Sequence, residues 1–350
     1  MKVAYIVAHL GRTGVNGVVL DLVKQMQAHG HHSTVFFLEA GKAEMAFPCE
    51  TMELNNWKLL KGYDIVHAHG LKPEMFIFRY LWKRKGKEFA QTRFITTLHC
   101  YCFQDFFDLY GKVKGALMGC VYLLVKVAFD RVVCLSKDMM HYYEQWLPMR
   151  KLTYAYNTRD ICLANLTLSE DEQNMINTFK GESTLIGMNC VLLYRKGIDV
   201  MLKALALLPQ EYKLMIVGEG KEKDVFEQMA QTLGLKGRVL FAGSHPDAYR
   251  FLPYYDIYAM PSRSEGFPLV LLEAAAYGTK VVASSLPVVT ECFSEHEVIT
   301  FKMPDEKELA AAISKAIEDK DLGERLKERF DKDFSPETFY QNYMRIYQDA

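Results

Sequence analysis

Short apolar runs alternate with segments of helical period along all 350 residues. In the first half, runs at 3–8, 34–38, 64–68, 94–98, 131–135 and 152–156 are rich in β-branched and aromatic residues and read as strands. Between the first two, 18–29 carries Val19, Leu22, Val23 and Met26 at helical spacing and stops at Gly30. The alternation restarts with strands at 183–188, 213–217, 239–242, 257–260 and 280–283 and helices at 200–208 and 222–233. This is the pattern of parallel sheets with crossover helices, so the predicted fold is α/β, two Rossmann-like doubly wound domains facing across a cleft. A polar stretch at 169–174 reads as a linker, giving domains at 1–165 and 166–335, with a last helix at 336–350 expected to pack back on the first. Ligands bind at the carboxyl ends of parallel strands, which places the expected site between the domains.

One stretch stands out, from Ser264 to Glu273, with Glu265 and Glu273 eight positions apart. A strand at 257–260 precedes it, Pro268 suits a first helical position and Gly278 supplies a stop. A helix entered this way presents free amides and a positive dipole end, a seat for phosphate whose donors would be Phe267, Leu269 and Val270. Glu273 lies in Val270-Leu271-Leu272-Glu273-Ala274-Ala275-Ala276, a helix apolar on nearly every face and therefore expected to be buried. A buried carboxylate without donors costs several kcal/mol, and two ribose hydroxyls would suit it.

Composition narrows the classes. Half the residues are hydrophobic, enough for two cores, and the start shows no signal-peptide pattern. Eight scattered cysteines fit reduced thiols in a cytoplasmic protein. The run at 115–129 contains Lys126 and falls short of the roughly 18 to 20 residues of a membrane span, so it reads as a buried helix. A net charge of −1 conceals an asymmetry, with 21 Lys and Arg against 14 Asp and Glu in residues 1–160 and 21 against 29 in the rest. The basic stretch Lys83-Arg84-Lys85-Gly86-Lys87 fits either a solvated helix end or an anionic membrane surface, and no nucleic-acid module accompanies it.

Gly11, Gly14 and Gly17 open the first helix but lack the second glycine of the dinucleotide fingerprint, and Gly14 is the candidate for approach to a phosphate. His99 ends a strand and is a candidate for contact with substrate. His67 and His69 are expected on opposite faces of theirs, with no partners for zinc. In Tyr194-Arg195-Lys196-Gly197, two adjacent cations before a helix could grip a diphosphate without a metal.

Taken together, these residues resemble a retaining glycosyltransferase of the GT-B fold, glycosyltransferase family 4. Its mark is two glutamates with seven residues between them, here Glu265 and Glu273, supported by the stretches from Asp64 to Gly70, Ile216 to Gly220, Arg238 to Gly243 and Asp256 to Ser262. The resemblance implies an acceptor domain followed by a donor domain. Glu273 would hold ribose, Glu265 the donor sugar, and the Leu269 and Val270 amides the distal phosphate. Gly14 would lie near the diphosphate, His99 near the transferred sugar and the backbone around Val239 near the nucleobase. It further implies no metal or other cofactor, a nucleotide sugar donor (UDP favoured) and a saccharide or lipid-linked acceptor of surface polysaccharide synthesis. A sugar-nucleotide epimerase and a catalytically inactive binding subunit are the alternatives. Two departures are evident. Gly187-Met188 stands where the family has Gly-Arg, leaving Arg195 or Lys196 to clamp phosphate, and Asn157-Thr158-Arg159-Asp160 stands where Asn-Gly-Val-Asp is common.

Overall fold

The computed structural model describes residues 1–41, 45–80, 87–161, 167–245 and 247–349. It comprises two compact units, Met1–Asp160 together with Ser335–Ala350, and Ile161–Phe334. The division falls at 160/161, where the sequence placed it at 165/166.

In the first unit, β1 (Lys2–Val7), β2 (His32–Phe37), β3 (Glu50–Glu53), β4 (Ile65–His69), β5 (Arg93–Thr97), β6 (Arg131–Cys134) and β7 (Leu152–Tyr154) form one parallel sheet in the order β3-β2-β1-β4-β5-β6-β7. Residues 3–7 are all fully buried, as a parallel strand covered on both faces requires. The edge strand β3 was not legible, because Glu50-Thr51-Met52-Glu53 is polar and exposed. The sheet order reverses at β1 and β4. The carboxyl ends of that pair lead into the glycine loop before the helix Gly14–Ala28 and into Gly70. The last helix, Pro336–Asp349, buries Phe339, Tyr343 and Tyr347, stacks Tyr340 on His29 at 3.5 Å and brings the Tyr347 hydroxyl to 2.8 Å from His67 Nδ1. Arg159, in one of the departing stretches, donates to buried Asp21 at 2.9 Å.

The run at 115–129 is not a buried helix. It forms most of a helix, Lys112–Leu124, followed by a tight turn, Val125–Ala128, and it packs against the helix Cys102–Tyr110 through its small residues. A Cβ on Gly115 would lie 2.6 Å from the Phe106 carbonyl oxygen, and one on Gly119 would lie 2.4 Å from the Phe103 ring. Contact is made on the glycine side, so the large apolar residues Val113, Leu117 and Leu124 are exposed. Beneath this hairpin, the fully buried Lys126 ammonium meets the fully buried Glu74 carboxylate, whose other oxygen accepts from Thr96 at 2.5 Å.

In the second unit, β8 (Thr184–Asn189), β9 (Tyr212–Val217), β10 (Val239–Gly243), β11 (Ile257–Met260), β12 (Val281–Ser284) and β13 (Ile299–Phe301) form a parallel sheet in the order β10-β9-β8-β11-β12-β13. Its order reverses at β8 and β11. The polar stretch at 169–174 is not a linker but the start of a helix, Glu170–Lys180, because Ser169 and Glu172 form a reciprocal capping box. Among the described residues, no helix is long and apolar enough to cross a membrane.

Candidate active site

The carboxyl ends of β8 and β11 bring together two loops that are distant in sequence. After β8 the chain runs to a tight turn, Tyr194–Lys196, closed by Gly197 in the left-handed region at φ 70°. A Cβ there would sit 1.7 Å from the Pro261 carbonyl oxygen, so only glycine lets the turn lie against the end of β11. The Arg263 amide donates to the Arg195 carbonyl at 2.8 Å. Its guanidinium grips both oxygens of Asp199 at 2.8 Å and covers the Tyr194 ring at 3.7 Å. Sequence reasoning missed this clip, since an arginine in a polar loop carries no periodic signal.

The clip sets Lys196 on Glu265. The Lys196 ammonium donates to Glu265 Oε1 at 2.6 Å, the Ser262 hydroxyl donates to the same oxygen at 2.6 Å, and Arg195 Nη1 stands 3.5 Å from Oε2. Arg195 also donates to the Ser264 carbonyl at 2.5 Å. Burial pushes the Glu265 carboxyl up, but Lys196 and Arg195 together outweigh it and hold it below the usual carboxylate range. Glu265 is therefore an anion whose Oε1 is occupied and whose Oε2 retains accepting capacity.

Pro268 is the N-cap of the next helix rather than its first residue, and the helix runs Leu269–Tyr277. Leu269 and Val270 thus carry two of the amides that a helix start leaves without an intrahelical acceptor. Phe267 is buried just before them, and Glu273, buried in the same helix, follows Leu269 by about 6 Å along the axis. Tyr258 is pushed well up, mainly by burial, with the Glu273 charge among the further causes. Val239 opens β10 and is half-buried.

Met188 requires correction. It lies inside β8 and packs in the hydrophobic core at 2% exposure, so an arginine there would be buried in apolar surroundings instead of reaching a ligand. The first strongly exposed side chain after β8 is Val191, at 54%. The cations on this side of the site are Arg195 and Lys196.

Gly14 and His99 belong to the first unit. Gly14 is the first residue of its helix, after a Thr13 cap, and Asn16 shapes the preceding loop by donating to the carbonyls of His9 and Gly11 at 2.8 and 2.6 Å. His67 and His69 do not face opposite sides. Residues two apart share a face, and their rings lie 4.2 Å apart. His69 Nδ1 stands 3.1 Å from His99 Nε2, and burial, then the Lys126 charge, lower the His99 pKa to about 4. His99 is accordingly a neutral imidazole at pH 7. Of the basic stretch, 83–86 lie outside the described residues. Among the described residues, no group of three or more His, Cys, Asp or Glu side chains is placed to hold a metal ion.

Two parallel-sheet units, each with a site-forming reversal of strand order, and a glutamate pair flanking a helix start define a glycosyltransferase of the GT-B fold, and the chain belongs to family 4 of these enzymes. Residues 12–161 match the family described as Glycosyltransferase Family 4, and 169–333 match Glycosyl transferases group 1. Among similar proteins is the O-antigen biosynthesis glycosyltransferase WclY of Escherichia coli, 30% identical over 363 residues that cover 100% of this chain and 98% of that one. The lipopolysaccharide core biosynthesis glycosyltransferase LpsE of Rhizobium meliloti is 33% identical over 157 residues, covering 43% of this chain and 46% of its own. In fold, the chain resembles Anabaena Alr3699/HepE, solved in complex with UDP, with a TM-score of 0.81 at 18% identity over 100% of both chains.

Proposed function

We propose that the protein transfers a hexose from a nucleotide diphosphate sugar, UDP being the favoured nucleotide, to a hydroxyl of a saccharide or lipid-linked saccharide, with retention of configuration and without a metal. The observation that carries this reading is the Lys196, Glu265 and Ser262 cluster beside the start of the helix Leu269–Tyr277. An ammonium has three donors, so Lys196 bound to Glu265 keeps two for diphosphate oxygens. The amides of Leu269 and Val270 add donors for the distal phosphate, Arg195 adds positive charge, and Phe267 shapes the approach. Glu265 Oε2 accepts from a sugar hydroxyl, Glu273 accepts from ribose, and the backbone at Val239 meets the base. Gly14 and neutral His99 keep the roles the family resemblance gives them.

In the proposed step the bond from the anomeric carbon to the diphosphate oxygen breaks as the bond to the acceptor oxygen forms on the same face. The acceptor proton passes to the leaving diphosphate. The side chains stabilise charge and position rather than attack. The names of WclY and LpsE favour an acceptor of O-antigen or lipopolysaccharide synthesis, reached from the cytoplasmic face of an anionic membrane.

Nucleoside diphosphate release that requires acceptor and persists in excess EDTA is the expected result. Release without acceptor, or complete loss that magnesium reverses, would contradict the reading. Glu273→Gln should weaken donor binding by roughly 10- to 150-fold, because the amide loses a charge-assisted bond of about 1.5 to 3 kcal/mol while the fold survives. Unchanged affinity in the folded variant would remove Glu273 from the site.

A further inference from the structure

The helix Lys112–Leu124 and the turn after it carry an outward apolar stripe at Val113, Leu117, Cys120, Leu124 and Val127, spaced four, three, four and three residues apart. That spacing keeps all five on one side of a helical path over about 21 Å. Val113 is 88% exposed and Leu117 66%, values that belong to a surface awaiting a partner rather than to scattered solvent-facing residues. The opposite side is taken by Gly115, Gly119 and Tyr122, so the stripe cannot be buried by shifting the hairpin inward.

Charge decides what covers it. Exposed Lys112 and Lys114 bracket the stripe at one end. At the other, Lys151 donates to the Val127 carbonyl at 3.2 Å, beside exposed Met149 and Arg150. The helix itself has no Asp or Glu. The hairpin's acids, Asp105 and Asp108, lie on the companion helix, where Asp105 accepts from the Tyr101 amide at 3.0 Å. A second copy of the chain would face cations with cations in either orientation, whereas anionic headgroups complement both ends. Tyr110 and Trp146, both partly exposed, suit the boundary between headgroups and acyl chains.

We infer that this hairpin is a monotopic membrane-binding surface, laying its Val113 to Val127 stripe into the interface of an anionic phospholipid bilayer while the flanking Lys and Arg side chains meet lipid phosphates. The inference gives a location on the chain to the membrane association proposed above, and it rests on residues other than the 83–87 stretch.

Vesicle co-sedimentation of the full chain tests it, comparing phosphatidylcholine mixed with phosphatidylglycerol against phosphatidylcholine alone. The wild-type protein should sediment with the mixed vesicles and much less with the neutral ones. Val113→Glu with Leu117→Glu should lower partitioning about tenfold or more, and Lys112→Gln with Lys114→Gln by roughly fivefold per lysine removed. Both sets alter exposed positions, and unchanged melting and an unchanged thermal upshift with UDP should confirm that the fold and the donor site are intact. Wild-type protein that ignores mixed vesicles, variants that bind as well as wild type, or a dimer dissolved by Leu117→Glu without vesicle binding would each overturn the inference. Vesicle binding with no response to UDP would leave the surface standing and count against the donor reading alone.

Discussion

Replacing Lys196 by alanine is expected to lower turnover by about two orders of magnitude, the scale on which one preorganised donor to a developing oxyanion acts. The leaving diphosphate gains charge as its bond to the sugar breaks, so a fixed cation beside it stabilises the transition state more than the ground state. Lys196 is suited to that role because it is held before any ligand arrives, by a carboxylate at 2.6 Å and a turn that only Gly197 allows. Donor affinity should change less than turnover. Arg195 remains 3.5 Å from Glu265 in the variant, so the carboxylate keeps a counter-charge and the fold should hold. Arg195→Ala should have the smaller effect, since that guanidinium is engaged by the Ser264 carbonyl. Wild-type turnover in both alanine variants would leave the helix amides alone to support the diphosphate.

The second large effect is on stability. Lys126→Met should destabilise the first unit by about 3 to 5 kcal/mol, because it strands the buried Glu74 carboxylate without a counter-ion. Burial lowers the Lys126 pKa and the Glu74 charge works against that shift, so the pair persists only as a pair. Thr96 still donates to Glu74 in the variant, and one hydrogen bond does not replace an ammonium. The double variant Glu74→Gln, Lys126→Met should recover much of the loss. Urea denaturation of the three proteins makes the comparison, and a single variant within about 1 kcal/mol of wild type would show that the carboxylate had found water or a proton.

Most strands of both sheets were legible because buried parallel strands are written as unbroken apolar runs, and the helices Gly14–Ala28, Ile198–Leu207 and Lys223–Thr232 because their apolar residues recur at helical spacing, whereas the helices Leu71–Arg79, Cys102–Tyr110 and Lys137–Glu144 were not picked out. What failed did so for identifiable reasons. The strands β3 and β13 are short, and β3 is polar at a sheet edge. The capping box at Ser169 made a helix out of a stretch whose composition resembles a linker. Hydrophobicity alone could not show that the helix Lys112–Leu124 turns its glycines inward and its Val and Leu side chains outward. Of the candidate site, Glu265, Glu273 and Lys196 could be named one by one as candidates. Their arrangement could not, since Lys196 and Glu265 are 69 residues apart and meet only because β8 and β11 are neighbours at the reversal of strand order. Arg263, which fastens the two loops, left no sign in the sequence.

Calorimetric titration of UDP into the wild-type protein, beside Glu273→Gln and Lys196→Ala, tests the central claim most directly. The account predicts saturable binding to the wild type in the presence of EDTA, a markedly weaker affinity for Glu273→Gln and a smaller loss for Lys196→Ala. Absence of binding by UDP and by every other nucleoside diphosphate, or equal affinity in all three folded proteins, would contradict the assignment of this site to a nucleotide sugar.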